Sequence, residues 1–137
     1  MLSVMLIVAS SVVMLLLGGI HLFYTFFGDQ LDPRDELVKA VMNGGELMLT
    51  SETTIWRAWV GFNASHSLCA VFFGLVFAFL ALAQPDLLFR SAYLQLLGGA
   101  VLVNFVVLAK LYWFSIPLIG VSIACACFVA GLAAARV

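Results

Sequence analysis

Charged residues are scarce in this sequence. Only 6 Lys and Arg and 7 Asp and Glu occur among 137 residues, so 9% of the chain is charged while 65% is hydrophobic. Soluble domains carry about 25% charged residues, so this composition excludes a soluble domain. The net charge is −1, and no basic tract is present. Both features argue against a nucleic-acid partner, because phosphate backbones are bound by clustered Lys and Arg.

Known catalytic and metal-binding motifs are also missing. The chain has no G-x-S-x-G, H-E-x-x-H or C-x-x-C-H sequence, and no carboxylate lies inside a long apolar run. Hydrolytic chemistry is therefore not expected, and a non-catalytic role is favoured. One enzymatic interpretation stays open, a membrane isomerase or lipid enzyme in which His66 is paired with Glu36 or Asp29.

Cysteines are few, and all three lie inside apolar runs: Cys69, Cys125 and Cys127. A buried free cysteine behaves as a small hydrophobic residue, and no disulfide framework is expected. Cys125 and Cys127 point about 200° apart on a helix, so they cannot bind one ion together.

Long apolar runs are abundant. Four of them, residues 3–27, 57–83, 88–110 and 116–135, are each long enough to cross a hydrocarbon core, which takes about 20 residues. The first run lacks the basic segment and cleavage site of a secretory signal and is interpreted as a retained transmembrane helix. The last two connections are short, which favours antiparallel neighbours. The sequence therefore predicts an all-α integral membrane protein, a single transmembrane domain over residues 1–137 with an up-down-up-down bundle of four helices.

One long loop, residues 28–56, separates the first two predicted spans. Asp32 before Pro33 is typical of a helix start, and Asn43-Gly44-Gly45 is typical of a helix end. The residues between them predict a short amphipathic helix that lies on the membrane surface or covers the bundle. Thr50 or Ser51 is expected to cap the second transmembrane helix.

The only two histidines have matching positions within the first two spans. His21 lies about six residues before the end of the first span and His66 about nine after the start of the second. In an up-down chain both would lie roughly 9–13 Å below one surface. Ionisable groups inside a bilayer are costly and rare, so the pair indicates a functional site.

Other polar residues are expected at the same depth, which predicts a buried polar layer on the side of the 28–56 loop. Trp56, Trp59, Asn63 and His66 follow the spacing of one helix face. The predicted ligand-binding residues are His21, Thr25, Asn63, His66, Ser67 and Asn104. Ser122 and Cys125 are the residues of the fourth span at this level.

Three interpretations of the layer stay open. It binds the headgroup of a lipid or quinone, or another small ligand. It binds haem b through His21 and His66 for electron transfer, with Gly18 and Gly19 leaving space for the macrocycle. Or the polar groups only fix the register of the helices in an accessory protein. No other metal site is expected, because the loop carboxylates reach this depth only if the loop folds back.

Small residues recur on the fourth span, at Gly120, Ala124, Cys127 and Gly131. Such spacing allows close helix packing in membranes. Packing inside the protein is the favoured interpretation. In the accessory interpretation, however, a second copy or another membrane protein would contact an exposed small-residue face of this helix.

Three segments carry a resemblance to a known family: residues 19–27 (GIHLFYTFF), 31–35 (LDPRD) and 53–67 (TTIWRAWVGFNASHS). In these segments the chain resembles a family of small four-helix bacterial inner-membrane proteins for which no activity is established. The resemblance covers the first half of the chain. It implies a bacterial origin and an inner-membrane location, and it assigns no role to any residue.

Overall fold

The structure is a computed structural model, and it describes residues 1–136. It contains six helices and two short strands in that range. In chain order these are α1 (Leu2–Phe26), α2 (Glu36–Gly44), β1 (Glu46–Leu47), β2 (Thr50–Thr54), α3 (Ile55–Ala83), α4 (Pro85–Arg90), α5 (Ala92–Tyr112) and α6 (Ser115–Ala134). Four of them, α1, α3, α5 and α6, are long and apolar enough to cross a membrane. The four predicted apolar helices are thus confirmed.

The third predicted span differs from the structure at its start. Pro85 occupies the first turn of the six-residue helix α4, and the chain bends before α5 begins. The Ser91 side chain caps α5 by accepting a hydrogen bond from the Leu94 backbone N–H at 3.3 Å. The predicted span 88–110 includes the end of α4 and most of α5. Hydropathy does not separate the two helices, because Leu87 and Leu88 are as apolar as the residues of α5.

The long loop contains a helix and a small antiparallel sheet, so the chain is not purely all-α. The caps are also not the predicted ones. The Asp35 carboxylate accepts a hydrogen bond from the Leu37 N–H at 2.9 Å at the start of α2, and the Thr54 hydroxyl accepts one from the Arg57 N–H at 3.2 Å at the start of α3. Thr50 instead lies in β2, paired with Leu47 of β1. The hairpin takes up loop residues whose short, polar pattern gave no strand signal.

Contacts divide the chain into two compact units. The first unit comprises Met1–Leu17 together with the chain from Ala70 onward, and the second comprises Gly18–Cys69. The first unit holds the hydrophobic core, which lies within α1, α3, α5 and α6 and the short α4. Its fully buried large side chains are Ile7, Met14, Leu88, Leu102 and Phe128.

An aromatic cluster occupies this core. The Phe73 and Phe77 rings stack with centroids 4.5 Å apart, and the Phe128 ring meets Phe77 edge-on at 5.2 Å. A Cβ added at Gly98 would lie 2.5 Å from Cζ of both Phe77 and Phe128. A side chain at position 98 would therefore collide with the cluster, and glycine lets α5 approach it.

Gly120, Ala124 and Gly131 of α6 face inward. A Cβ at Gly120 would lie 2.8 Å from Cδ1 of Leu17, and one at Gly131 would lie 3.0 Å from Cδ1 of Ile7. Ala124 is fully buried. Gly120 and Gly131 therefore pack against α1 within the first unit, and the interpretation of these residues as internal packing residues agrees with the structure. Ser122, Ala126 and Ala130 form an exposed small-residue face on the same helix, and a partner at that face stays a prediction.

Candidate functional site

The two histidine rings meet in the second unit. The centroids of His21, on α1, and His66, on α3, are 5.6 Å apart, and the ring planes are inclined by 71°. Both side chains are partly buried. The juxtaposition expected from their matched sequence positions is therefore present in the structure.

Asn63 fixes the orientation of the His21 ring. Its Oδ1 lies 2.9 Å from Nε2 of His21, and its Nδ2 donates to the Trp59 carbonyl at 2.9 Å. Because the amide nitrogen is used by a carbonyl, the oxygen must face the imidazole, where it can only accept. Nε2 of His21 therefore carries the proton, and in the neutral ring Nδ1 is the nitrogen with the lone pair.

Thr25 and Ser67 lie on the same two helices and use their hydroxyl protons locally. The Thr25 hydroxyl donates to the His21 carbonyl at 2.8 Å, and the Ser67 hydroxyl donates to the Asn63 carbonyl at 2.7 Å. Such bonds to the carbonyl four residues earlier satisfy a hydroxyl inside an apolar helix. These bonds hold Thr25 beside the backbone of His21 and Ser67 beside the backbone of Asn63.

A small cavity lies at the loop end of this group. Its volume is about 10 Å³, and its lining residues are Tyr24, Thr25, Leu31, Asp32, Trp56, Trp59, Val60 and Asn63. Such a volume is close to what one water molecule needs. Sites that enclose a drug-sized ligand have roughly 300–1,000 Å³. The cavity in this conformation therefore suits a water molecule, and a larger ligand requires displacement of its walls.

The loop forms one wall of the cavity through specific contacts. The Trp59 indole N–H donates to the Leu31 carbonyl at 3.3 Å. Lys39 forms an ion pair with Asp32, and its Nζ lies 5.2 Å from the centroid of the Trp56 ring. The hydrogen bond to Asp32 raises the pKa of Lys39 above its ordinary value. Through its contacts with Asp32 and Trp56, Lys39 thus joins α2 and the residues before it to the start of α3.

Asn104 is not among the buried residues. It lies on α5 in the first unit, its side chain is exposed, and its Nδ2 donates to the Ala100 carbonyl at 2.9 Å. On α6, Ser122 is exposed and Cys125 is partly buried. The group that the structure brings together in the second unit therefore consists of His21, Asn63 and His66, with Thr25 and Ser67 beside them.

Within residues 1–136, no group of three or more His, Cys, Asp or Glu side chains is placed to hold a metal ion. Haem does not fit this conformation, because Nε2 of His21 already bonds to Asn63 and the neighbouring cavity has only about 10 Å³.

Sequence reasoning missed the loop residues of the cavity wall. Leu31 and Asp32 approach Trp59 and Asn63 only through the path of the loop, for which the sequence carries no direct signal. Trp56 and Trp59 did carry one, since they share a helix face with Asn63 and His66. Their shared face did not by itself show that both indoles line a cavity.

Comparison with protein-family models, curated proteins and solved structures gives no significant match.

Proposed function

We propose that the protein is an integral membrane protein of the bacterial inner membrane that binds the polar head of a lipid-soluble small molecule, a lipid or a quinone. The site consists of His21, Asn63 and His66, with the cavity on its loop side. The observation that carries the proposal is the direct contact of the two imidazoles, one of which is oriented by an asparagine.

Membrane insertion is the first part of the proposal. Four helices have the length and hydropathy to span a bilayer, and the turns between α3 and α6 are short. An up-down-up-down path places the 28–56 loop and the turn at Trp113 and Phe114 on one side. The segment that contains α4 then lies on the opposite side.

The cost of burial supports a function for the histidines. A polar side chain in hydrocarbon is penalised unless it has partners, and Leu or Phe would fill the same positions without cost. A hydrogen bond between two helices contributes about 0.6 kcal/mol on average in membranes. Fixing the register of α1 and α3 therefore does not by itself account for a pair of imidazoles.

The chemistry of the groups favours a ligand that is both aromatic and polar. The Nε2–H of neutral His21 donates to Asn63, so its Nδ1 is left to accept a hydrogen bond from a ligand hydroxyl. The cavity wall adds the rings of Tyr24, Trp56 and Trp59, which can stack on a flat ring. A quinone head offers such a ring, and its reduced form adds hydroxyl groups that can donate to Nδ1 of His21.

Binding requires movement of the loop, because the cavity has the size of one water molecule. The contacts that hold the loop are few and lie at its edge: Trp59 to Leu31, and Lys39 to Asp32 and Trp56. We propose that this segment closes the site in the unliganded state and yields when a ligand enters.

Tryptophan fluorescence tests ligand binding. A short-chain benzoquinone analogue is titrated into the purified protein in lipid nanodiscs, and saturable quenching of Trp56 and Trp59 is expected. His66→Ala and Asn63→Leu should weaken binding at least about tenfold, the effect of losing roughly 1.4 kcal/mol. Ser122→Ala, on the exposed face of α6, is the matched control and should bind as the unchanged protein does.

Co-purifying molecules separate the alternatives. Mass spectrometry of the purified protein should find a quinone or one lipid species in stoichiometric amount. The absence of such a species together with non-saturable quenching would contradict the proposal and favour the accessory role. A Soret absorption band that disappears in both His21→Ala and His66→Ala would instead establish haem b.

A further inference from the structure

Asn104 lies on the outward face of α5, among apolar side chains. The residues of α5 that face the core are Gly98, Leu102, Phe105 and Ala109. At 100° per residue, Asn104 lies on the opposite side of the helix from the centre of this buried set. Its amide is therefore exposed to whatever surrounds the first unit, which for a membrane-spanning helix is lipid or another protein.

Hydrogen-bond capacity makes this position costly in lipid. A primary amide has two N–H donors and a carbonyl oxygen that accepts. One donor reaches the Ala100 carbonyl at 2.9 Å. That carbonyl belongs to the helix backbone, so the bond leaves the Asn104 oxygen and its second N–H for a partner outside the helix. Hydrocarbon tails offer none, and each unsatisfied group in the bilayer core costs several kcal/mol.

The neighbours of Asn104 form a regular seam. Outward residues recur at alternating spacings of four and three along the whole length of α5, and all six are exposed: Tyr93, Leu97, Ala100, Asn104, Val107 and Leu111. Alternation of four and three is the pattern by which two helices pack in a left-handed coiled coil. A single asparagine within such a seam sets register and oligomeric state.

We infer that this seam is the interface between two copies of the protein, which pack α5 against α5 in parallel about a two-fold axis along the membrane normal. Because this axis relates each residue to its copy at the same depth, the two Asn104 amides lie at one level in the membrane. An amide is complementary to itself, because the oxygen of each copy accepts from the N–H of the other. Ala100, one turn away, is small and lets the backbones approach, as membrane helix interfaces require.

Ser122, which is exposed within α6, supports a second copy less well. Ser122 has a single donor, which a serine inside a helix can direct to a carbonyl of its own backbone. Gly120 and Gly131 of α6 already pack against α1, and the exposed small residues of this helix, Ser122, Ala126 and Ala130, include no amide. A matched amide pair on α5 is therefore the better-supported contact, and it is independent of the ligand site.

Disulfide cross-linking in native membranes tests the geometry. In a background with Cys69, Cys125 and Cys127 changed to alanine, Ala100→Cys and Val107→Cys should form covalent dimers under mild oxidation. Ile123→Cys, which is 50% exposed on α6, is the matched control. Equal cross-linking at position 123 would overturn the assignment of the interface to α5.

Dilution in bilayers tests the role of the amide. Single-molecule photobleaching across a range of protein-to-lipid ratios should give a dimer, and Asn104→Leu should weaken dimerisation about five- to thirtyfold, the range for one interhelical hydrogen-bonded contact in model membranes. Asn104→Gln, which keeps the amide, should retain part of the affinity. Circular dichroism and thermal unfolding verify that Asn104→Leu is folded. A monomer at every ratio, an oligomer larger than two, or an Asn104→Leu dimer of unchanged affinity would overturn the inference.

Discussion

The Asn63 amide joins the His21 ring of α1 to the backbone of α3, with both of its contacts at 2.9 Å. Because Nδ2 of Asn63 is used by the Trp59 carbonyl, only its oxygen is available to Nε2 of His21. One side chain thus determines which nitrogen of the histidine carries the proton, and the His66 ring lies against the His21 ring oriented in this way.

We predict that neutral His21 is the Nε2–H tautomer. The chain has only two histidines, so ¹⁵N-histidine labelling gives two sets of ring signals, and His66→Ala identifies the set that belongs to His21. Asn63→Leu removes the acceptor and should shift His21 toward a mixture of tautomers. A predominantly Nδ1–H ring in the unchanged protein would contradict the arrangement.

We expect adjacent glycines of α5 to respond oppositely to alanine. Gly98→Ala places a methyl group 2.5 Å from two phenylalanine rings, and such overpacking costs about 1–3 kcal/mol. Gly99→Ala meets nothing within 4 Å and should gain about 0.5–1 kcal/mol from the lower flexibility of alanine. Thermal unfolding in one detergent compares the two variants. A similar shift in both would show that the aromatic cluster does not lie beside position 98.

The contact between Lys39 and the Trp56 ring should depend on pH. The hydrogen bond to Asp32, with further attraction from Asp32, Glu36 and Asp29, raises the pKa of Lys39 above 10.5. A raised pKa means that the charged form favours the folded loop. This contribution is complete below pH 10.5 and is lost as the pH rises through the raised pKa. Tryptophan emission should therefore change in that alkaline range, and the change should be smaller in Trp56→Phe.

Two substitutions of Lys39 control for tyrosine ionisation in the same range. Lys39→Met has no ion pair at any pH, so only the tyrosine-dependent part of the change should remain. Lys39→Arg should keep the contact to higher pH, because a guanidinium stays protonated. Identical profiles for all three proteins would mean that the ion pair does not hold the loop.

Membrane topology is tested by single exposed cysteines. Gln30→Cys, Asp86→Cys and Phe114→Cys, each in the cysteine-free background, are labelled with an impermeant maleimide from either side of membrane vesicles. We expect positions 30 and 114 to react from one side and position 86 from the other. All three on the same side would exclude the up-down-up-down path.

The bounds of the helices and strands show which features of the fold can be predicted from local sequence. The starts and ends of α1, α3 and α6 lie within two residues of the predicted spans, because hydropathy is a property of each residue. The start of α5 differs by four residues, because a polar cap at Ser91 separates two equally apolar segments. The hairpin was not predicted, because Glu46–Leu47 is too short to show a period of two and Thr50–Thr54 contains no apolar residue that could alternate.

The sequence by itself determined the four apolar helices and the similar distances of His21 and His66 from the loop between their helices, because span length and helical rise follow from residue type and number alone. Only the tertiary structure decided which side of each helix faces inward. A helix that is apolar all round carries no hydrophobic periodicity to reveal its rotation. For that reason Gly98 could not be told from Gly99, Asn104 was expected among the buried residues, and the small residues of α6 were open to two interpretations. Asp32 likewise reached the cavity wall through contacts between distant residues, which no local pattern encodes.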